Sequence, residues 1–188
     1  MPSVNRVVMH RTSRQWLRSL DLGRMDAAEI SGKHGRQYDF KSYRSFRYPK
    51  HDICEGPFIN NRGAILQFDI ILANQVWEHL DRPYAATCNV LDMLRPDGYF
   101  WIAVPFYIPY HAAPVDNSRW SARGLKNLLI EAGFPEEHIR AKQWGNRQAA
   151  MRNFETPWPP PYDPAGDDLS NDPEFPICAW AMAQKVER

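Results

Sequence analysis

Residues 68–73, Phe-Asp-Ile-Ile-Leu-Ala, form an almost unbroken apolar run, and the chain turns polar at Asn74 and Gln75. A run that short and that apolar predicts a strand covered on both faces, as in a parallel sheet between layers of helix. Its polar end then falls at the carboxyl edge, where open α/β sheets bind ligands. Beyond it, Asp81 and Pro83 read as the N-cap and first turn of a helix that buries Tyr84, Cys88, Val90, Leu91 and Leu94. Arg95-Pro-Asp-Gly98 predicts a tight turn, and residues 99–105 a second buried strand. Strand, helix and strand make one right-handed crossover, which requires parallel pairing.

The same patterns place the remaining elements. Residues 3–20 predict a helix with Val4, Val7, Val8, Trp16, Leu17 and Leu20 available for burial and Arg6, Arg11, Arg14 and Arg18 largely on other faces. Residues 25–30 predict a short strand running into Ser31-Gly-Lys-His-Gly35, and residues 43–48 a half-exposed strand. Ser121 is positioned to cap a helix that buries Leu125, Leu128, Leu129 and Ala132 and stops at Gly133. A strand follows at 138–144 and a short helix at 146–153. Prolines rule out regular structure over most of 155–176, which leaves an irregular lid-like excursion. A last strand at 177–183 pairs most simply as a hairpin with 138–144. The fold class expected is α/β, doubly wound, with a mostly parallel sheet and an antiparallel last strand. Residues 1–188 are read as one domain: an N-terminal helix (1–22), a core (23–154), the Pro-rich excursion (155–176) and the terminal strand (177–188).

Composition narrows the function classes. At 188 residues there is room for one domain with a real core. Basic and acidic residues nearly cancel, with net charge +1, so nothing in the total asks for nucleic acid or an acidic membrane. Aromatics alternate with cations over residues 36–50, a pattern that also suits single-stranded nucleic acid. The neutral total favours a half-exposed strand there instead. No apolar run reaches the roughly 18 residues of a membrane span, and the N-terminus lacks the apolar core of a secretory signal, so a cytoplasmic protein is expected. Cys54, Cys88 and Cys178 are odd in number and far apart, which predicts reduced thiols. Seven tryptophans leave apolar surface for a homodimer.

Four segments carry a family resemblance when taken in order: Ala28-Glu-Ile-Ser-Gly-Lys-His-Gly35, the whole of 68–80, Val90-Leu-Asp-Met-Leu-Arg-Pro-Asp-Gly98, and 124–134 ending in Glu-Ala-Gly-Phe. Together they resemble the class I S-adenosylmethionine-dependent methyltransferases of the type 11-like group. The resemblance implies a Rossmann-like sheet, S-adenosyl-L-methionine as cofactor, and methyl transfer to a small-molecule or sugar acceptor. It places Glu29 beneath a turn made by Ser31, Gly32 and Gly35, where it would help fix the donor's amino-acid end. Asp52 and Ile53 fall near the donor's nucleobase or ribose. Asn74 and Gln75 end the fourth strand beside the sulfonium, and His79 opens the next turn. On the loop after the second buried strand, Tyr107, His111 and Asp116 join His79 as candidate catalytic groups, able to orient or deprotonate a hydroxyl.

Three departures qualify the pattern. Ser31 and Lys33 stand where the family has glycines that let backbone approach a ligand. Arg47 stands near the place of the acid that usually holds the ribose. The segment between Gly35 and Asp52 is short, so a shortened fold is expected. These departures motivate an alternative, a non-catalytic methyltransferase-like binding or interaction protein. The spacing of His79, His111 and Asp116 is not diagnostic of a metal site, and no metal is expected. The three-glycine pattern of nicotinamide-binding folds is absent.

Overall fold

The apolar run opening at residue 68 is a strand, Phe68–Asn74, lying inside a sheet with both faces covered. The structure, a computed structural model, describes residues 2–186. The extreme ends of the expected first and last segments, residues 1 and 187–188, lie outside the described residues. In chain order the elements are α1 (Val4–Arg18), β1 (Asp26–Ile30), β2 (Ser42–Phe46), β3 (Phe68–Asn74), α2 (Pro83–Met93), β4 (Leu94–Pro105), α3 (Ala122–Glu131), β5 (Ile139–Trp144), α4 (Arg147–Arg152) and β6 (Cys178–Gln184).

These strands form one sheet in the order β2-β1-β3-β4-β6-β5. The first four are mutually parallel, and β6 runs antiparallel to both β4 and β5. The expected α/β class, the mostly parallel sheet and the antiparallel last strand are all present. Alternation along β3 divides the core: Ile71 and Ala73 meet the layer holding α2 and α3, while Ile70 and Leu72 meet Met9 and Leu17 of α1 and Ala149 of α4. That two-sided cover is why the strand reads as a continuous apolar run.

Shortening is seen at two places. The β1 to β2 crossover, residues 31–41, is spanned by a 3-10 turn at His34–Gln37 with no α-helix. Residues 47–67 reach β3 with only an isolated bridge between Ile59 and Ile65. The strand expected as fourth is therefore third in the chain.

Three local expectations are corrected. Asp81 does not cap α2: Arg82 is the residue before it and contributes no side-chain cap, while Asp81 accepts a hydrogen bond from Asn117 Nδ2 at 2.9 Å. The buried stripe of α2 is Ala86, Thr87, Val90 and Met93, with Tyr84 turned outward and 48% exposed. This helix is apolar on more than one face, so two stripes share helical spacing. The small Ala86 and the Thr87 hydroxyl, which accepts from Trp77 Nε1 at 3.0 Å, select the one that packs. Finally, residues 95–98 are folded into the start of β4 as an irregularity. Leu94 pairs with Phe68 and Tyr99 with Ile70, and Asp97 takes φ +60° to accommodate the excess.

The expected helix at 121–133 is reproduced, with Ser121 Oγ accepting from Gly124 N at 3.2 Å and Gly133 in the left-handed region at φ +112°. Residues 155–176 hold no helix or strand, yet they are pinned. Val4 N donates to Pro160 O at 3.2 Å, and Trp144 Nε1 to Ser170 O at 3.1 Å. Cys54, Cys88 and Cys178 are all free thiols. Among the described residues no helix is long and apolar enough to cross a membrane.

Candidate functional site

From β1 the chain moves outward to β2, and from β3 it moves the other way to β4, so the crevice between the carboxyl ends of β1 and β3 is the switch point of the sheet. A cavity of about 570 Å³ opens there. Ile30 and Ser31 line it from the end of β1, Arg47 and Tyr48 from beyond β2, and Gln75 and Val76 from beyond β3. The segment from His51 to Glu55, the turn from His79 to Arg82, and Ala113, Pro114 and Val115 complete the wall. The size suits a cofactor or drug-sized ligand, for which cavities of roughly 300–1,000 Å³ are usual.

Two non-glycine residues at this crevice adopt left-handed backbone, Ser31 at φ +51° and Gln75 at φ +58°. That conformation is costly for a residue with Cβ and persists only where the surroundings hold it. Here they do: Ser31 N donates to Phe46 O at 2.7 Å, and Gln75 N to Ala103 O at 2.8 Å. Each strand end is thus bent sharply by a hydrogen bond to the neighbouring strand, and the bends open the crevice. Two polar atoms at the end of β3, Asn74 Oδ1 and Gln75 Nε2, are buried without a hydrogen-bond partner.

Beneath the first turn, Glu29 is fully buried. Its Oε1 accepts from His34 N at 2.7 Å, and its Oε2 from Gly35 N at 2.6 Å and Tyr43 OH at 2.6 Å. Burial first, and then the bond to Glu29, hold the Tyr43 hydroxyl far above its ordinary pKa, so it stays a donor. A Cβ on Gly32 would lie 2.0 Å from Glu29 Oε1, and one on Gly35 2.5 Å from the Tyr43 ring. Both glycines are required by packing against Glu29 and its partners. Lys33 is exposed and does not line the cavity, so its bulk and charge stand outside it.

Of the residues singled out from sequence, Ser31, Asp52, Ile53, Gln75 and His79 meet at the cavity. Glu29, Gly32, Gly35 and Asn74 stand behind or beside its wall. Asp52 Oδ1 accepts from Cys54 N at 2.8 Å, which orders the segment after β2. Tyr107 is 45% exposed and packs edge-to-face on Phe154. His111 lines a second, much smaller cleft shared with Gln75, Arg6 and Trp158. Asp116 fixes its own loop, accepting from His111 N at 2.7 Å and from Arg119 Nη2 at 2.6 Å. The Arg119 guanidinium holds the Asp116 carboxyl down at about 2.

Sequence reasoning missed Glu78. It is fully buried in the 3-10 turn Trp77–His79, and neither carboxylate oxygen has a hydrogen-bond partner. Burial pushes its pKa up to about 8, against the opposing charges of Arg6 and Arg119. The one available signal was a carboxylate directly after the apolar Val76-Trp77 pair. Its backbone carbonyl receives Asn117 N at 2.8 Å and Ser118 N at 3.2 Å, so loop 106–120 is laid over the turn and buries the side chain.

Residues 21–102 match a family model described as a methyltransferase domain. Solved structures share the fold along nearly the whole chain. An S-adenosylmethionine-dependent methyltransferase from Archaeoglobus fulgidus is 13% identical with a TM-score of 0.58, over 96% of this chain and 94% of that one. A second, from Mesorhizobium loti, is 12% identical with a TM-score of 0.54, over 91% of this chain and 96% of that one. Phosphoethanolamine N-methyltransferase 2 from Haemonchus contortus, in complex with S-adenosyl-L-methionine, is 12% identical with a TM-score of 0.57, over 94% of this chain and 53% of that one. No curated protein matches by sequence. The resemblance read from four sequence segments is borne out, and the chain has the class I S-adenosylmethionine-dependent methyltransferase fold.

Proposed function

We propose that this chain of class I methyltransferase fold, acting as one domain over residues 1–188 in the cytoplasm, transfers a methyl group from S-adenosyl-L-methionine to a small-molecule or sugar acceptor. The observation that carries the reading is the cavity at the switch point between β1 and β3, in the segment that matches a methyltransferase domain. Its volume accommodates the donor, and the partnerless Asn74 Oδ1 and Gln75 Nε2 at the end of β3 await polar groups of a ligand. Bound there, S-adenosylmethionine would supply an electrophilic methyl group on a sulfonium.

The residues of this chain have positioning work to do. Ser31, Gly32 and Gly35, held from below by Glu29, would shape the turn against the donor's amino-acid end. Asp52 and Ile53 would face its nucleoside, with Asp52 taking a role that the acid-free end of β2 leaves open. Asn74 and Gln75 would orient the donor at β3. On the acceptor side, His79 is the candidate base that reaches the cavity, with Tyr107, His111 and Asp116 shaping the loop over it. In-line placement and exclusion of water supply much of the rate in such a transfer, and a base is needed only for an acceptor that must lose its proton.

Calorimetric titration with S-adenosylmethionine and S-adenosylhomocysteine tests the proposal. Saturable 1:1 binding is expected, weakened about tenfold by Asp52→Asn or Gln75→Ala, as befits loss of one hydrogen-bonding contact. Lys33→Gly should leave affinity unchanged. Absence of binding at millimolar ligand would overturn the reading in favour of a non-catalytic interaction protein, which Arg47 at the end of β2 already motivates.

A further inference from the structure

Beside the cavity, side chains from two distant parts of the sequence converge without being satisfied. Glu78, His79 and His111 each offer one ligand atom, and these atoms all lie within 4.8 Å of one another. Both Glu78 oxygens and His111 Nδ1 are buried with no hydrogen-bond partner. His79 Nδ1 lies 2.5 Å from Val115 O. A carbonyl can only accept, so Nδ1 carries a hydrogen, and in the neutral ring Nε2 is the nitrogen left with a lone pair for a cation. That Nε2 faces Glu78 Oε1 at 3.7 Å, too far for a hydrogen bond and close to the spacing of two donors on one cation. Ligands about 2.0–2.2 Å from a tetrahedral ion stand roughly 3–4 Å apart, so closing the cluster needs only small side-chain movements.

We propose that Glu78, His79 and His111 form a binding site for a divalent transition-metal cation. Two imidazole nitrogens and one carboxylate oxygen suit zinc, manganese, iron(II) or cobalt, and not calcium or magnesium, which take oxygen ligands. The surrounding bonds are those of an outer shell. Val115 O fixes the His79 tautomer, and Asp116 Oδ2 holds the His111 backbone N at 2.7 Å. Arg6 and Arg119 are the cations that face Glu78 from α1 and from the loop. Arg119 is committed to Asp116, and Arg6 makes no hydrogen bond to either Glu78 oxygen. A bound ion would staple loop 106–120 to the turn after β3. His79, which also lines the cavity, would then link that staple to the ligand site, and with Nδ1 on Val115 O and Nε2 on the ion it would serve in the loaded protein as a ligand in place of the base role.

The site stands independently of methyl-donor binding, so it is tested without donor. Chelator-stripped full-length protein is titrated calorimetrically with Zn²⁺, Mn²⁺ and Co²⁺, and the Co²⁺ complex is followed by its visible absorption. One site per chain is expected, together with a rise in Tm on adding cation. Glu78→Gln and His111→Ala should each weaken binding by at least about 100-fold, beyond the roughly 10- to 100-fold typical of outer-shell losses. His138→Ala, an exposed histidine elsewhere, should leave it unchanged. The proposal fails if the folded parent chain binds none of the three cations at millimolar concentration, or if affinity survives in either variant. Should one variant not fold, the parent titration and the other variant decide.

Discussion

Glu29 shows how one side chain can set a turn in which Ser31 and Lys33 alternate with only two glycines, Gly32 and Gly35. Its two oxygens serve three donors, the amides of His34 and Gly35 and the Tyr43 hydroxyl, inside a fully buried space. An amide in its place offers one acceptor oxygen and turns N–H groups toward the other donors. Glu29→Gln should therefore cost about 1–3 kcal/mol, the scale of leaving buried donors unsatisfied. Gly32→Ala should cost a comparable amount, since its Cβ would lie 2.0 Å from Glu29 Oε1 and the carboxylate cannot yield without breaking its bonds. Urea unfolding of the two variants checks both values, and a wild-type midpoint for either would remove Glu29 from this role. Glu29 beneath a glycine turn was expected from the family resemblance, and of its donors only the amides of His34 and Gly35 are local, the Tyr43 hydroxyl coming from the neighbouring strand. Glu78 was not, because loop 106–120 supplies the burial that makes it unusual, and no pattern near residue 78 encodes that loop.

The elements differ in how much of their placement is local. Helix α3 was legible to the residue: Ser121 caps it, Leu125, Leu128 and Leu129 pack, and Gly133 takes the left-handed exit. Helix α2 was not, since its residues are apolar on several faces and only contact with Trp77 and the sheet selects Ala86, Thr87, Val90 and Met93. The contrast gives a paired prediction. Ser121→Ala removes a real cap bond and should destabilise by about 1 kcal/mol. Asp81→Ala removes no cap and should cost less than about 0.5 kcal/mol, the range of ordinary surface changes. Its effect should appear as faster exchange of the Asn117 side-chain amide, whose Nδ2 donates to the Asp81 carboxylate. Equal losses from the two substitutions in urea unfolding would contradict the capping assignment.

At the scale of the molecule, the sheet was legible because a strand covered on both faces cannot hide its composition, whereas the ties across the sheet were not. One such tie is a stack of rings from three separated segments. His10 on α1 lies 4.8 Å from His34 on the turn after β1, which lies 5.1 Å from Trp101 on β4. Burial first, then neighbouring positive charge, holds each imidazole down at about 4, against an ordinary value of 6.5. The folded state therefore prefers the neutral rings. Their contribution to stability is complete above about pH 6.5 and is lost as pH falls through 4, where the rings must charge inside the stack. Because both rings are partly open to solvent, the loss is about 1–2 kcal/mol each and not the full value of the shift. A double variant, His10→Gln with His34→Gln, keeps every carboxylate and removes only this titration. Its stability should be lower than the parent's at pH 7, where the stacking is missing, and should then fall less steeply between pH 6.5 and 4. Thermal unfolding across that range reads the two slopes directly. Parallel slopes would mean that the stack tolerates charge and that acid sensitivity originates in the carboxylates instead.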